Sequence, residues 1–140
     1  MLRQATRLFG FDGRGPGFHD VTRPLREWAE GQGGSEGLLN LHVRHTSCSL
    51  TIQENADPDV LRDLWDALDR LAPRDHPYRH SSEGPDDMPA HVRTMLTASS
   101  LSVPLIGGRL QLGTWQGIYL IEHRDRPRPR EIAAHLLTDG

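Results

Sequence analysis

Between Tyr78 and His91 the chain reads Tyr78-Arg79-His80-Ser81-Ser82-Glu83-Gly84-Pro85-Asp86-Asp87-Met88-Pro89-Ala90-His91, which places two imidazoles and three carboxylates within twelve residues. The segment is too polar and turn-rich to be core, and such clusters recur where metal ions or protons are handled. His80 and His91 are eleven residues apart, so they are not the i, i+4 helical pair of a zincin, and the fold of the loop must bring them together. Pro89 stands in the first turn of a predicted helix and puts His91 near its start, where the positive end of the helix dipole favours the neutral, metal-binding ring. Asp86 and Asp87 complement the same dipole. They read equally well as helix caps beside a partly buried His91.

His45 closes an apolar strand face and precedes the small polar run Thr46-Ser47-Cys48. Such a histidine is commonly a hydrogen-bonded core residue. If its strand ends near the loop, however, His45, His80 and His91 supply three neutral nitrogens, the ligand count of a catalytic zinc-type site with one open position. Glu83 or Glu54 then serves as a base or as a partner behind the ligands. Cys48 is three strand residues from His45, so the two point to opposite faces and the cysteine reads as packed. No Gly-x-Ser-x-Gly elbow surrounds Ser47. Trp115, flanked by Gly113-Thr114 and Gln116, is either a core aromatic at a glycine turn or the wall of a pocket that stacks a flat ligand, with Gln116 on the ligand's edge.

These residues need a scaffold, and 140 residues suffice for one domain with one hydrophobic core, spanning 1–140. Leu2 to Phe9 and Phe18 to Val21 predict an opening hairpin turned by the glycines from Gly10 to Gly17. Thr22 offers a cap to a short helix carrying Leu25, Trp28 and Ala29. Leu39, Leu41 and Val43 alternate with polar residues as a half-buried strand does, and Ser49 to Gln53 repeats the pattern. Asp57 and Pro58 start a helix striped by Val60, Leu61, Leu64, Trp65, Leu68 and Leu71. A further helix starts at Asp87 and runs to about Ser99 with Val92, Met95 and Leu96 inward. Leu101 to Leu105, a Gly107-Gly108 turn, Arg109 to Leu112, Gly117 to His123 and Glu131 to Leu137 complete the strands, with Arg124 to Arg130 a solvated loop. Strands grouped around about three helices predict an α+β fold with a mostly antiparallel, sandwich-like sheet core that packs its helices on one side.

Composition narrows the chemistry. All 16 basic residues are arginine, so neither a Schiff-base lysine nor a Walker lysine exists. A net charge of -3 lacks the basic excess needed to grip nucleic acid. No apolar run approaches transmembrane length. The single cysteine and the absence of a leader-like start point to a reducing cytoplasm.

Four stretches carry a resemblance: His45-Thr46-Ser47, Thr51 to Pro58, Tyr78 to His91, and Leu112-Gly113-Thr114-Trp115-Gln116-Gly117-Ile118-Tyr119-Leu120. Together they resemble the YjbQ family (UPF0047), often labelled secondary thiamine-phosphate synthase. Cys48 and Gln53 stand where relatives often carry alanine and asparagine. The resemblance implies a β-rich α+β homotrimer whose histidines bind a divalent metal, zinc or magnesium, near subunit interfaces. The implied reaction condenses an aminopyrimidine diphosphate with a thiazole phosphate and releases pyrophosphate, so the expected partner is a small phosphorylated metabolite. On this reading His45, His80 and His91 are metal ligands and Glu83, Asp87 and Glu54 are acid, base or supporting groups. Thr46, Asn55, Arg79, Trp115 and Gln116 contact the ligand, and Arg93 is a further phosphate partner. A metal-dependent phosphate-ester hydrolase, a non-catalytic anion-binding module and a trimer locked by its histidines are the rival readings.

Overall fold

The computed structural model describes residues 1–12 and 14–140. Eight strands and three helices follow in the order β1 (Leu2–Phe11), β2 (Gly17–Asp20), α1 (Thr22–Glu30), β3 (Gly37–Val43), β4 (Cys48–Glu54), α2 (Pro58–Leu71), α3 (Asp87–Leu96), β5 (Ser100–Ile106), β6 (Arg109–Leu110), β7 (Gln116–Glu122) and β8 (Arg130–Asp139). The strands form two antiparallel sheets, one ordered β1-β8-β3-β5-β6 and the other β2-β7-β4. Alternation along β3 sends Leu39, Leu41 and Val43 inward, where they meet Leu50, Ile118 and Leu120 of the smaller sheet and Leu25 and Ala29 of α1. The core therefore lies between the two sheets, as the period-two pattern predicts for strands with one buried face. Of the helices, α1 contributes to this core, while Trp65 of α2 packs edge-on against Phe18 of β2.

The opening hairpin does not form. β1 pairs with β8 along its whole length, from Leu2 opposite Asp139 to Phe11 opposite Arg130, and β2 pairs with β7. A ten-residue ladder satisfies far more backbone groups than a four-residue hairpin arm could, so the distant partner wins. Gly13, within the expected turn, lies outside the described residues.

Thr22 is the first residue of α1 rather than its cap: its N–H donates to Asp20 Oδ1 at 2.9 Å, and its hydroxyl accepts from Ile118 N–H at 2.8 Å. Asp57 caps α2 as its sequence predicts, accepting from the Asp59 N–H at 2.9 Å with Pro58 at the first helical position. α3 differs more. It ends at Leu96, Met95 and Leu96 are exposed, and the inward residues are Asp87, Pro89, Ala90 and Arg93. The buried side of this helix is held by ion pairs: Asp87 meets Arg124 at 2.8 Å and Arg93 meets Asp69 at 2.7 Å. A hydrophobic periodicity cannot report a face anchored by charge.

The Arg124 to Arg130 stretch is also unlike the solvated loop expected, because its two end arginines are buried. Arg130 reaches Glu122 through both Nε and Nη2, at 2.6 Å each, and Nη2 also donates to Ser47. Beside this pair His123 is buried, stacks on Trp65 and shares a 2.8 Å hydrogen bond between its Nε2 and the Ser49 hydroxyl. Burial, reinforced by the Arg93 and Arg130 charges, pushes its pKa down to about 3 from an ordinary 6.5. The folded state thus holds His123 neutral, and the stability this gives is complete above pH 6.5 and is lost as the pH falls from there towards 3. Unfolding free energy is expected to fall by up to about 1.4 kcal/mol per pH unit across that window. Urea titrations at intervals between about pH 6.5 and 4.5 measure the slope, and H123F flattens most of it.

Candidate metal centre

The Tyr78–His91 segment folds back on itself through Gly84, whose φ of +104° lies in the left-handed region that glycine tolerates. This reversal sets His80 beside the first two turns of α3. There His80, Asp87 and His91 each point one ligand atom inward, all within 4.8 Å of one another. Asp87 Oδ2 accepts from His80 Nε2 at 2.7 Å and lies 3.3 Å from His91 Nε2. Asp87 and His91 are four residues apart, one helical turn, which is what stacks them. His80 and His91 keep their ring centroids 5.7 Å apart.

Asp87 is the fixed member. Its side chain is buried while those of His80 and His91 are 46% and 34% exposed, so the group opens to solvent on its histidine side. Its Oδ1 accepts from Arg124 Nη1 at 2.8 Å, leaving Oδ2 to face the rings. Arg124 Nε also meets Asp86 Oδ2 at 2.9 Å, and Nη2 donates to the Glu83 carbonyl at 3.0 Å. One guanidinium therefore fastens the loop, the helix start and the Asp87 carboxylate together. The pairing with Arg124 holds the Asp86 carboxyl below its usual range despite the opposing effect of burial.

Two imidazoles and one carboxylate form a donor set found in catalytic zinc sites that keep a position open. Donors about 2.1 Å from a tetrahedral ion sit about 3.4 Å apart, close to the His91–Asp87 separation of 3.3 Å, while His80 would have to exchange its 2.7 Å hydrogen bond to Asp87 for a place at the ion. The residues present fit the ion.

His45 is not part of this group. β3 ends at Val43, and the His45 ring lies in the following loop, where its Nε2 accepts the Glu131 N–H at 3.1 Å. That hydrogen bond occupies Nε2, and His45 is not among the three residues whose ligand atoms converge. Asp87, placed in the sequence reading as an acid, base or supporting group, stands where the third ligand was expected.

The remaining candidates divide between the two ends of β7. Thr46, Arg79 and Glu83 lie at the metal end. The Thr46 carbonyl accepts from Thr94 of α3 at 3.3 Å, Arg79 is exposed, and the Glu83 carboxylate is exposed while its carbonyl is held by Arg124. Glu54, Asn55, Trp115 and Gln116 lie at the other end: Glu54 pairs with Gln116 in the ladder, and the Asn55 N–H donates to the Trp115 carbonyl at 2.9 Å. The seven residues of β7 from Gln116 to Glu122 span about 20 Å. Within one subunit these four residues do not reach the histidines. Gln116 instead closes its own turn by accepting the Gly113 N–H at 2.8 Å, Trp115 stands 63% exposed, and Glu54 accepts the Asp57 N–H at 3.2 Å. Arg93 is buried against Asp69 and stacks over Trp65, with no free face for a phosphate.

The sequence reading missed Arg124. Its signal was indirect: two adjacent buried aspartates require a cation partner, and lysine is absent from the chain.

A two-sheet α+β fold with an open His-Asp-His group beside a helix start defines a small candidate metalloprotein. The family described as "UPF0047 protein YjbQ-like" matches residues 9–139, and the chain belongs to that family. It is 47% identical over 136 residues to the UPF0047 protein sll1880 of Synechocystis, covering 96% of this chain and 92% of the relative. The crystal structure of the conserved hypothetical protein TT1486 from Thermus thermophilus is similar with a TM-score of 0.80 at 38% identity, covering 91% of this chain and 97% of that one. A YbjQ-like protein of unknown function from Sulfolobus solfataricus shares the fold with a TM-score of 0.90 at 20% identity, over 99% of this chain and all of the other. No described helix is long and apolar enough to cross a membrane.

Proposed function

We propose that the protein is a divalent-metal-dependent enzyme acting on a small phosphorylated metabolite, with His80, Asp87 and His91 as the ligands. The observation that carries this reading is the convergence of the three donors around a buried carboxylate already oriented by Arg124. A zinc or magnesium ion held there would supply positive charge to phosphate oxygens. The protein's own part is to hold Asp87 fixed, to keep both imidazoles on the solvent side, and to present exposed Arg79 next to His80. The reaction that the family resemblance suggests is condensation of an aminopyrimidine diphosphate with a thiazole phosphate. The bond from the pyrimidine methylene to the diphosphate breaks, the thiazole nitrogen forms the new bond to carbon, and pyrophosphate leaves. Hydrolysis of a phosphate ester is a second reading, favoured by the exposure of the histidine side to water.

The assembly we infer is a cytoplasmic homotrimer. Support comes from the outer face of the larger sheet, where a hollow of about 690 Å³ is lined by Leu8, Asn40, His42, Ser102 and His135, with exposed Leu38 and Leu137 in the next ladder row. Light scattering on the purified protein measures the stoichiometry. For the chemistry, zinc-loaded protein is incubated with the two condensation substrates or with a phosphate monoester. Pyrophosphate release that needs both substrates supports synthesis, inorganic phosphate release from the ester supports hydrolysis, and neither product from either mixture refutes catalysis. H91A is expected to lose tight zinc binding, and H45A to retain it.

A further inference from the structure

Most arginines around the metal centre already have an acid. Arg124 holds Asp86 and Asp87, Arg130 holds Glu122, and Arg74 grips Asp125 with both ends of its guanidinium. Among the described residues two arginines of the same loop have no ion-pair partner: Arg126 and Arg128. Both line one cleft of about 360 Å³ together with Glu83, Asp86, Arg124 and Asp125. Asp86 and Asp125 are paired with Arg124 and Arg74, so among the described residues Glu83 is the one unpaired carboxylate on its wall, facing two unpaired guanidinium groups. Pro127 and Pro129 restrict the backbone on either side of Arg128, which lowers the entropy lost when that side chain engages a ligand.

The cleft adjoins the metal group. Gly84 and Pro85 form part of its wall and also part of the wall of a second cleft, of about 350 Å³, which contains His80, Tyr78 and Met88. Asp86 faces the arginine cleft while its neighbour Asp87 belongs to the metal group, and Arg124 bridges the two. A ligand reaching across the Gly84-Pro85 turn would have one end at His80 and the other at Arg126 and Arg128.

We propose that Arg126 and Arg128 form a phosphate-binding subsite, which takes a terminal phosphate or diphosphate group of the substrate on the far side of the Gly84-Pro85 turn from the metal ligands. Planar guanidinium forks suit phosphate oxygens, and two of them together bind more strongly than one. The proposal rests on the metal-site reading for its catalytic meaning, but its binding chemistry does not require the ion. A nucleic-acid backbone is a poor fit, since two arginines on one loop of a chain of net charge -3 give no extended basic track.

The test is calorimetric titration of inorganic pyrophosphate into the full chain, stripped of metal with a chelator. R126Q/R128Q is expected to weaken binding about tenfold or more, as the loss of charge-assisted contacts requires. The control R23Q/R62Q removes the same charge from remote surface positions and should change affinity less than about twofold, consistent with screening at that range. A parallel titration of zinc into the stripped parent protein reads the metal site separately. If parent and R126Q/R128Q bind pyrophosphate equally, if R23Q/R62Q weakens it as much, or if the parent binds none, the subsite is wrong whatever zinc does. If zinc binding is absent while pyrophosphate still depends on Arg126 and Arg128, the subsite stands and the metal reading falls.

Discussion

Replacing Glu122 with alanine is expected to destabilise the fold by about 3–5 kcal/mol, the usual result of leaving one member of a buried ion pair without its partner. Glu122 and Arg130 are both almost fully buried, and the carboxylate accepts from both ends of the guanidinium and from the Arg124 N–H at 2.9 Å. Removing it strands a guanidinium between β7 and β8 and loosens the hold on Ser47 at the entry to β4. Because Arg124 follows two residues later, the damage should spread to the metal end of the molecule. Chemical denaturation of E122A against the parent protein measures the loss. The pair E122A/R130M, which removes both charges, should recover a substantial part of it, because an apolar pair avoids the unpaired charge.

D87N is expected to lower zinc affinity by at least about a hundredfold, since it replaces the anionic ligand with a weakly coordinating amide while keeping the side-chain volume. Arg124 makes the substitution informative. The amide oxygen can still accept from Nη1, so the loop stays anchored and the fold is retained, but the face turned to His80 and His91 no longer bears charge. R124A should act differently: it frees Asp86 and Asp87 together, costs stability, and lowers zinc affinity by letting the ligand rotate. Competition titrations with a chromogenic zinc chelator, paired with thermal melts, separate a lost ligand from a lost scaffold.

Periodicity sufficed where apolar packing decides the structure. The stripe from Val60 to Leu71 and the Asp57-Pro58 start located α2 to within a residue, and alternation located β3, β5 and the inward side of the smaller sheet. It failed where charge decides. Met95 and Leu96 look like the inner side of α3, yet the helix buries Asp87 and Arg93, because partners from Arg124 and Asp69 compensate their desolvation. Those partners are 37 and 24 residues away in sequence, and no local pattern announces them.

The candidate site was legible in part for the same reason. His80, Asp87 and His91 are close in sequence and share one turn of helix and one glycine-assisted reversal, so a local reading could find them. His45 depended on where a strand ends, and β3 stops two residues short of it. The Trp115 turn was drawn into the same site by residue type and by the family resemblance. The length of β7 puts it at the opposite end of the smaller sheet, about 20 Å away.

The central claim is that His80, Asp87 and His91 bind one divalent ion, and anomalous diffraction from crystals grown with zinc tests it most directly. The account predicts an anomalous peak on the absorption edge at about 2.0–2.1 Å from His80 Nε2, His91 Nε2 and Asp87 Oδ2, with the His45 ring still accepting from the Glu131 N–H. A peak centred on His45, or no peak among the three residues at saturating zinc, would contradict it.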